Sequence, residues 1–232
     1  MVVARAIALF GFFWWLLLSL PLLIFFLVRL NANLDVVLNV PVPHFYIVTA
    51  ASLTALGLGI LAAVASGGLR DPQVFFLSLA FISIAAVFSV HGLTTPGVLV
   101  PGSNPVIGFS ARFSVLLGGV FFILSTIPWR GKLRAYLQRW QGELTLGWSA
   151  LLLGYGLAGL LAPHLFEPLG FVMSAPWSFG VGALTIVLYV STAWYYWLTF
   201  VLARLPLQLA LTAATLLLAE SQVAMFAPTW RL

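Results

Sequence analysis

The chain has 232 residues, of which 62% are hydrophobic and only 6% charged, where a soluble domain carries roughly a quarter. So few charges exclude a water-soluble globular protein of this length and make a lipid bilayer the solvent of most of the chain; the 15% aromatic content fits Trp and Tyr at headgroup level. The net charge of +5 is scattered rather than gathered into tracts that bind nucleic acid, and the absence of cysteine excludes disulfides, thiolate metal sites and a cysteine nucleophile.

Apolar runs of about 20 residues, the length of one crossing, predict an all-α polytopic membrane helix bundle. It has about seven transmembrane helices and forms a single domain over residues 1–232. The first helix is expected near 6–29, with Pro21 inside. Arg5 before it is reminiscent of a signal peptide, but the run is too long for a cleaved apolar region and lacks a small-residue cleavage site. The second spans 44–66, from His44 to the Gly67-Gly68 break, and the third 73–93, opened by Asp71-Pro72 and closed by Thr94-Thr95-Pro96-Gly97. The fourth, 106–128, lies between Asn104-Pro105 and Pro128. Residues 129–143 read as a short amphipathic helix with Leu133, Tyr136, Leu137 and Trp140 on one face. It is expected to lie on the membrane surface or to offer a docking surface to a cytoplasmic partner. The fifth helix is expected at 145–165, the sixth at 178–203 and the seventh at 206–226, opened by Pro206.

Positive charge predicts direction. Arg130, Lys132, Arg134 and Arg139 make 129–143 the densest basic segment, which places it in the cytoplasm. Alternation then puts Arg5, Arg70 and Arg204 on the same side, with the N-terminus in and the C-terminus out. Connections 94–105 and 166–177 hold no Lys or Arg. Trp129, Trp148, Trp177 and Trp230 fall at predicted boundaries, as an aromatic belt would.

Ionisable groups at membrane depth are energetically unfavourable and tend to mark function. In this topology all three histidines lie toward the outer side: His44 opens the second helix, His91 closes the third and His164 closes the fifth. At about 1.5 Å rise per residue, His91 and His164 sit about 27–28 Å above the inner ends of their helices. Neutral imidazoles with a carboxylate suit Zn or Cu, and two imidazoles on facing helices could ligate haem. Packing against loop carbonyls or headgroups is the plainer reading, and a pocket for an organic ligand or lipid is a further one. His164 and Glu167, three apart, would share a helical face if the fifth helix reached that far. Arg112 and Glu220 fall at matching depths on the fourth and seventh helices, as a buried ion pair or as ligand-binding groups, with Ser221 and Gln222 adding polarity beside Glu220.

Gly154-Tyr155-Gly156-Leu157-Ala158-Gly159 has the spacing of a dinucleotide-binding loop. It lies within an apolar run with no preceding strand and no acidic residue about twenty further on, so close helix packing is expected instead. Gly57, Gly59, Gly118, Gly119, Gly180 and Gly182 read the same way. Trp194, Tyr195, Tyr196 and Trp197 read as packing within the sixth helix. No catalytic triad, inverted repeat or line of intramembrane charges supports an intramembrane enzyme or a transporter.

The stretch from His44-Phe45-Tyr46 to Asp71-Pro72-Gln73-Val74-Phe75-Phe76, with His91-Gly92-Leu93-Thr94-Thr95-Pro96-Gly97, resembles a family of bacterial membrane input domains. These stand at the N-terminus of signalling proteins such as adenylate/guanylate cyclases. The resemblance covers the second to fourth helices and implies a multi-helix sensor or anchor, with an output domain following in the same polypeptide. A cytoplasmic output domain would need one more crossing after the seventh helix. The chain therefore reads either as a piece of a longer protein or as a small membrane subunit working through partners. The leading expectation is a non-enzymatic sensory or anchoring domain of a bacterial inner or plasma membrane. Its outward-facing site would be built from His44, His91, His164, Arg112 and Glu220, and its partners would be the bilayer, a cytoplasmic output domain or protein, or further copies in a homo-oligomer. The alternative is an accessory subunit of a larger membrane complex, redox-linked if the histidines hold a cofactor.

Overall fold

The computed structural model describes the backbone of residues 2–31, 40–100, 102, 104–174 and 176–225, and the side chains of these residues except 2–13 and 225. The chain is all-helical, with no β-strand among the described residues. In order it forms α1 (Val2–Leu30), α2 (Pro41–Leu69), α3 (Pro72–Leu93), α4 (Val106–Ser125), α5 (Gly131–Leu161), a 3₁₀ segment (Pro163–Met173), α6 (Trp177–Ala203) and α7 (Pro206–Met225). From α2 to α7 there are six helices long and apolar enough to cross a membrane, and α1 adds a shorter apolar stretch over Trp14–Leu30. Leu53, Leu61 and Val64 on α2 and Leu146, Leu151 and Leu153 on α5 point outward, a surface only lipid would solvate. The chain is a multi-pass membrane protein.

Two compact units divide it: residues 1–39 with 189–232, and residues 40–188. The boundary falls inside α6, so the single domain expected over 1–232 is built from two contact clusters. In the smaller unit α1 packs on α7, and Trp15 meets Trp197 edge to face at 5.3 Å. In the larger unit α3 is the most buried span and carries α2, α4 and α5 around it.

Local chemistry explains the starts and stops. Asp71 caps α3 by accepting from the Gln73 N–H at 2.9 Å, and Pro72 opens the helix. Before it, Arg70 ends α2 in the left-handed region at φ 51, its N–H donating to Ser66 O at 2.7 Å. Asn104 accepts from the Val106 N–H at 2.9 Å at the head of α4 and donates through Nδ2 to Gly159 O at 3.1 Å, tying α4 to the end of α5.

Three expectations change here. The segment 129–143 is not a separate helix lying on the surface: from Gly131 it is the opening stretch of α5, an unbroken helix of 31 residues. No proline interrupts it, and Leu137 buries against Phe75, Phe76 and Leu79 of α3. Leu133, Tyr136 and Trp140 stay exposed, so only one residue of the amphipathic face reaches the core. At about 1.5 Å per residue α5 is about 46 Å long, more than the hydrocarbon core of about 30 Å. The helix also stops at Leu161 rather than at 165, because Pro163 cannot donate into it and opens the 3₁₀ segment. The Gly-rich run on α5 packs as expected at its far end: a Cβ on Gly159 would lie 3.1 Å from Val106 and 3.2 Å from Val90. Trp148 turns away from the boundary and donates through Nε1 to the buried Ser83 Oγ at 2.8 Å. Trp230 lies outside the described residues.

Candidate functional site

His44 stands in the first turn of α2 and His91 in the last turn of α3, which runs antiparallel to it. Their Nε2 atoms are 3.0 Å apart, with the rings edge to face at 5.2 Å and 84°. His91 Nδ1 is 2.7 Å from Ile107 O. A carbonyl cannot donate, so Nδ1 carries a proton. With His91 neutral, its Nε2 is a lone pair and His44 Nε2–H donates to it. With His91 charged, the direction reverses. Either way the contact holds one proton between two nitrogens and cannot hold two.

The surroundings fix the His91 ring. Phe88, one turn earlier, stacks on it at 5.3 Å and 6°. Thr94 and Thr95 both return their hydroxyls to the helix end, to Val90 O and His91 O. Beside the pair, Gly92 lets α2 approach closely: a Cβ there would lie 2.8 Å from Val48 Cγ1. The result is a clasp. One imidazole on α3 binds α2 through Nε2 and α4 through Nδ1, and His44 is open to the outside while His91 is half-buried.

The other expected site residues of this unit do not join the pair. His164 lies in the 3₁₀ segment, not at the end of a helix, and is exposed, as is Glu167. Among the described residues no three His, Cys, Asp or Glu side chains gather as a metal site. Arg112 is half-buried on α4 in the larger unit; Glu220 belongs to the smaller, on α7, with its Oε2 buried and without a hydrogen-bond partner.

The pair can be tested against the groups expected there. A tetrahedral Zn²⁺ with bonds of about 2.0–2.1 Å holds two nitrogens about 3.3–3.4 Å apart, and a square-planar Cu²⁺ holds neighbouring nitrogens about 2.8–3.0 Å apart; the observed 3.0 Å is a hydrogen-bond distance close to both, so the two rings reach one ion only by turning toward it. A haem iron held between two axial imidazoles needs about 4 Å, twice one Fe–N bond of about 2 Å, so the pair does not fit bis-imidazole haem. Donation of Nδ1–H to a backbone carbonyl is also the usual support of a metal-binding histidine.

Sequence reasoning missed the polar ties that surround this site. Ser110 and Tyr155 share a hydrogen bond of 2.6 Å between α4 and α5, and Asn104, read as a turn residue, bridges the same helices. No family model, curated protein or solved structure matches the chain.

Proposed function

We propose that this chain is a non-enzymatic sensory and anchoring domain of a bacterial inner or plasma membrane, and that the His44–His91 pair is where its ligand acts. The 3.0 Å Nε2–Nε2 contact carries the proposal, because it is a polar latch between two spans that a competitor for the same lone pairs would open. A metal ion of the Zn or Cu class suits those lone pairs best, with water or a small anion completing its coordination. Replacing N–H···N by N–metal–N forces each ring to reorient. His91 is tied to Ile107, so α2 is the element free to move. The change would reach the other end of the bundle along α3, on which α5 packs through Leu137 and Trp148, and from there pass to a fused or partner protein.

The test is copper binding to the full chain in nanodiscs, read by electron paramagnetic resonance. One Cu²⁺ per chain with two nitrogen ligands is expected, and loss of that signal in His44→Ala and in His91→Ala. An unchanged copper signal in the double variant would remove the pair as the site.

A further inference from the structure

A second site lies at the opposite end of α2, about 39 Å from His44 by the helical rise. A cleft of about 480 Å³ opens between the end of α2 and the first turns of α5, lined by Gly67 and Arg70 on one side and by Gln138, Arg139, Gln141 and Gly142 on the other. Three features are built rather than incidental. Gln138 Nε2 donates to Arg70 O at 2.6 Å, which holds Arg70 in its left-handed conformation and fixes the two walls together. Gln141 is 7% exposed, and its Nε2 is a buried donor with no acceptor. Gly67 and Gly142 face open space, with nothing within 4 Å of where a Cβ would stand, so the absence of side chains there keeps the cleft empty.

The charges of the walls are equally unbalanced. Among the described residues neither Arg70 nor Arg139 has a carboxylate partner, and Arg139 lies over the Trp140 ring at 5.6 Å. Arg130, Lys132 and Arg134 precede Arg139 on its own segment, against Asp71 and Glu143. Asp71 already caps α3. Two arginines and an orphaned amide donor lining one opening are the partners of a multivalent oxyanion. The opening sits where α2 turns into α3, beside the end of the apolar span Pro41–Leu69.

We propose that this cleft binds a phosphate group, carried by an anionic phospholipid headgroup of the surrounding leaflet. Arg70 and Arg139 supply charge, Gln141 Nε2 a directed hydrogen bond, and Gly67 and Gly142 the room. Basic pockets between spans are suited to such headgroups, and an occupied cleft would pin the end of α2 to α5. This site is independent of the histidine pair.

Native mass spectrometry of the full chain tests it, after equilibration with phosphatidylglycerol and phosphatidylcholine of the same acyl chains; a parallel arm titrates inorganic phosphate by calorimetry. Phosphatidylglycerol should be retained about tenfold over phosphatidylcholine, the scale of one or two charge-assisted hydrogen bonds. Retention should fall about as much in the Arg70→Gln/Arg139→Gln variant, in Gln141→Leu and in Gly142→Leu. The last keeps every charge and favours helix, so its loss reports filling of the cleft rather than unfolding; helical circular dichroism confirms the fold. Binding of inorganic phosphate, lost in Gly142→Leu, without selectivity among lipids would keep the phosphate site and make its ligand soluble. Equal retention of both lipids with no phosphate binding overturns the proposal. So does a phosphatidylglycerol preference that survives both Gln141→Leu and Gly142→Leu, which would leave only diffuse attraction to the basic segment.

Discussion

The packing of α2 on α3 holds the histidine clasp together, and Gly59 tests that packing most sharply. A Cβ built on Gly59 would lie 2.8 Å from Ile82 Cγ1, 3.1 Å from the Ile82 backbone nitrogen and 3.3 Å from Phe81 Cβ. The side-chain contact alone could relax by rotation of Ile82, but the backbone nitrogen of α3 cannot move without the helix. Gly59→Ala therefore gains about 1 kcal/mol of helix propensity and loses about 1–3 kcal/mol to overpacking, with α2 pushed outward. Gly57, half a turn away on the same helix, has nothing within 4 Å of its Cβ position. Gly57→Ala should keep the propensity gain of up to about 1 kcal/mol with no clash. The two variants differ by one methyl each on one helix, so their difference isolates interhelical contact from intrinsic propensity. Thermal unfolding in detergent, followed by circular dichroism, should rank Gly57→Ala at or above the parent and Gly59→Ala below it. A Gly59→Ala protein as stable as Gly57→Ala would refute the close approach of α2 and α3.

Two further predictions follow from the polar ties. His44→Ala and His91→Ala should be coupled by about 0.5–1.5 kcal/mol in a double-mutant cycle. His91→Ala should be the more destabilising single change, because it also releases Ile107 O and the Phe88 stack; additive effects would break the pair. Trp148→Phe leaves the buried Ser83 without its donor and should destabilise by about 0.5–1.5 kcal/mol. Repeating that change in a Ser83→Ala background should be nearly neutral, and equal losses in both backgrounds would show that Trp148 acts only by packing.

Much of the fold is written in the one-dimensional pattern. Hydropathy marks the spans, and Asp71-Pro72 announces the start of α3 because a cap and a first-turn proline act locally. The character of residues 131–143 is not local. Its amphipathic face reads as a surface helix until α3 presents Phe75, Phe76 and Leu79 to Leu137. The pattern likewise puts Trp148 at a boundary, and only the rotation of α5 turns its indole toward Ser83. All three histidines follow from topology to one side of the chain. Which two meet depends on how α2 is rotated and how closely it approaches, and those are set by Gly59 against Ile82 and Gly92 against Val48. His164 shares their expected depth, but Pro163 ends α5 before it and moves it into the 3₁₀ segment. Gln141 gives no signal in sequence, since an interfacial glutamine is ordinary until its donor is buried without an acceptor.

The central claim is that an ion at the histidine pair moves α2 within the larger unit. The chain has no cysteine, so spin labels attach only where cysteines are introduced, at Val42→Cys on α2 and Leu161→Cys on α5, both exposed positions. Pulsed electron–electron resonance in nanodiscs then reads the distance between these ends. Saturating Zn²⁺ should shift that distance by about 1–2 Å, the scale of helix shifts in switching proteins, and the shift should vanish when His44→Ala and His91→Ala are added. A distance indifferent to Zn²⁺, or the same shift without the two histidines, would contradict the account.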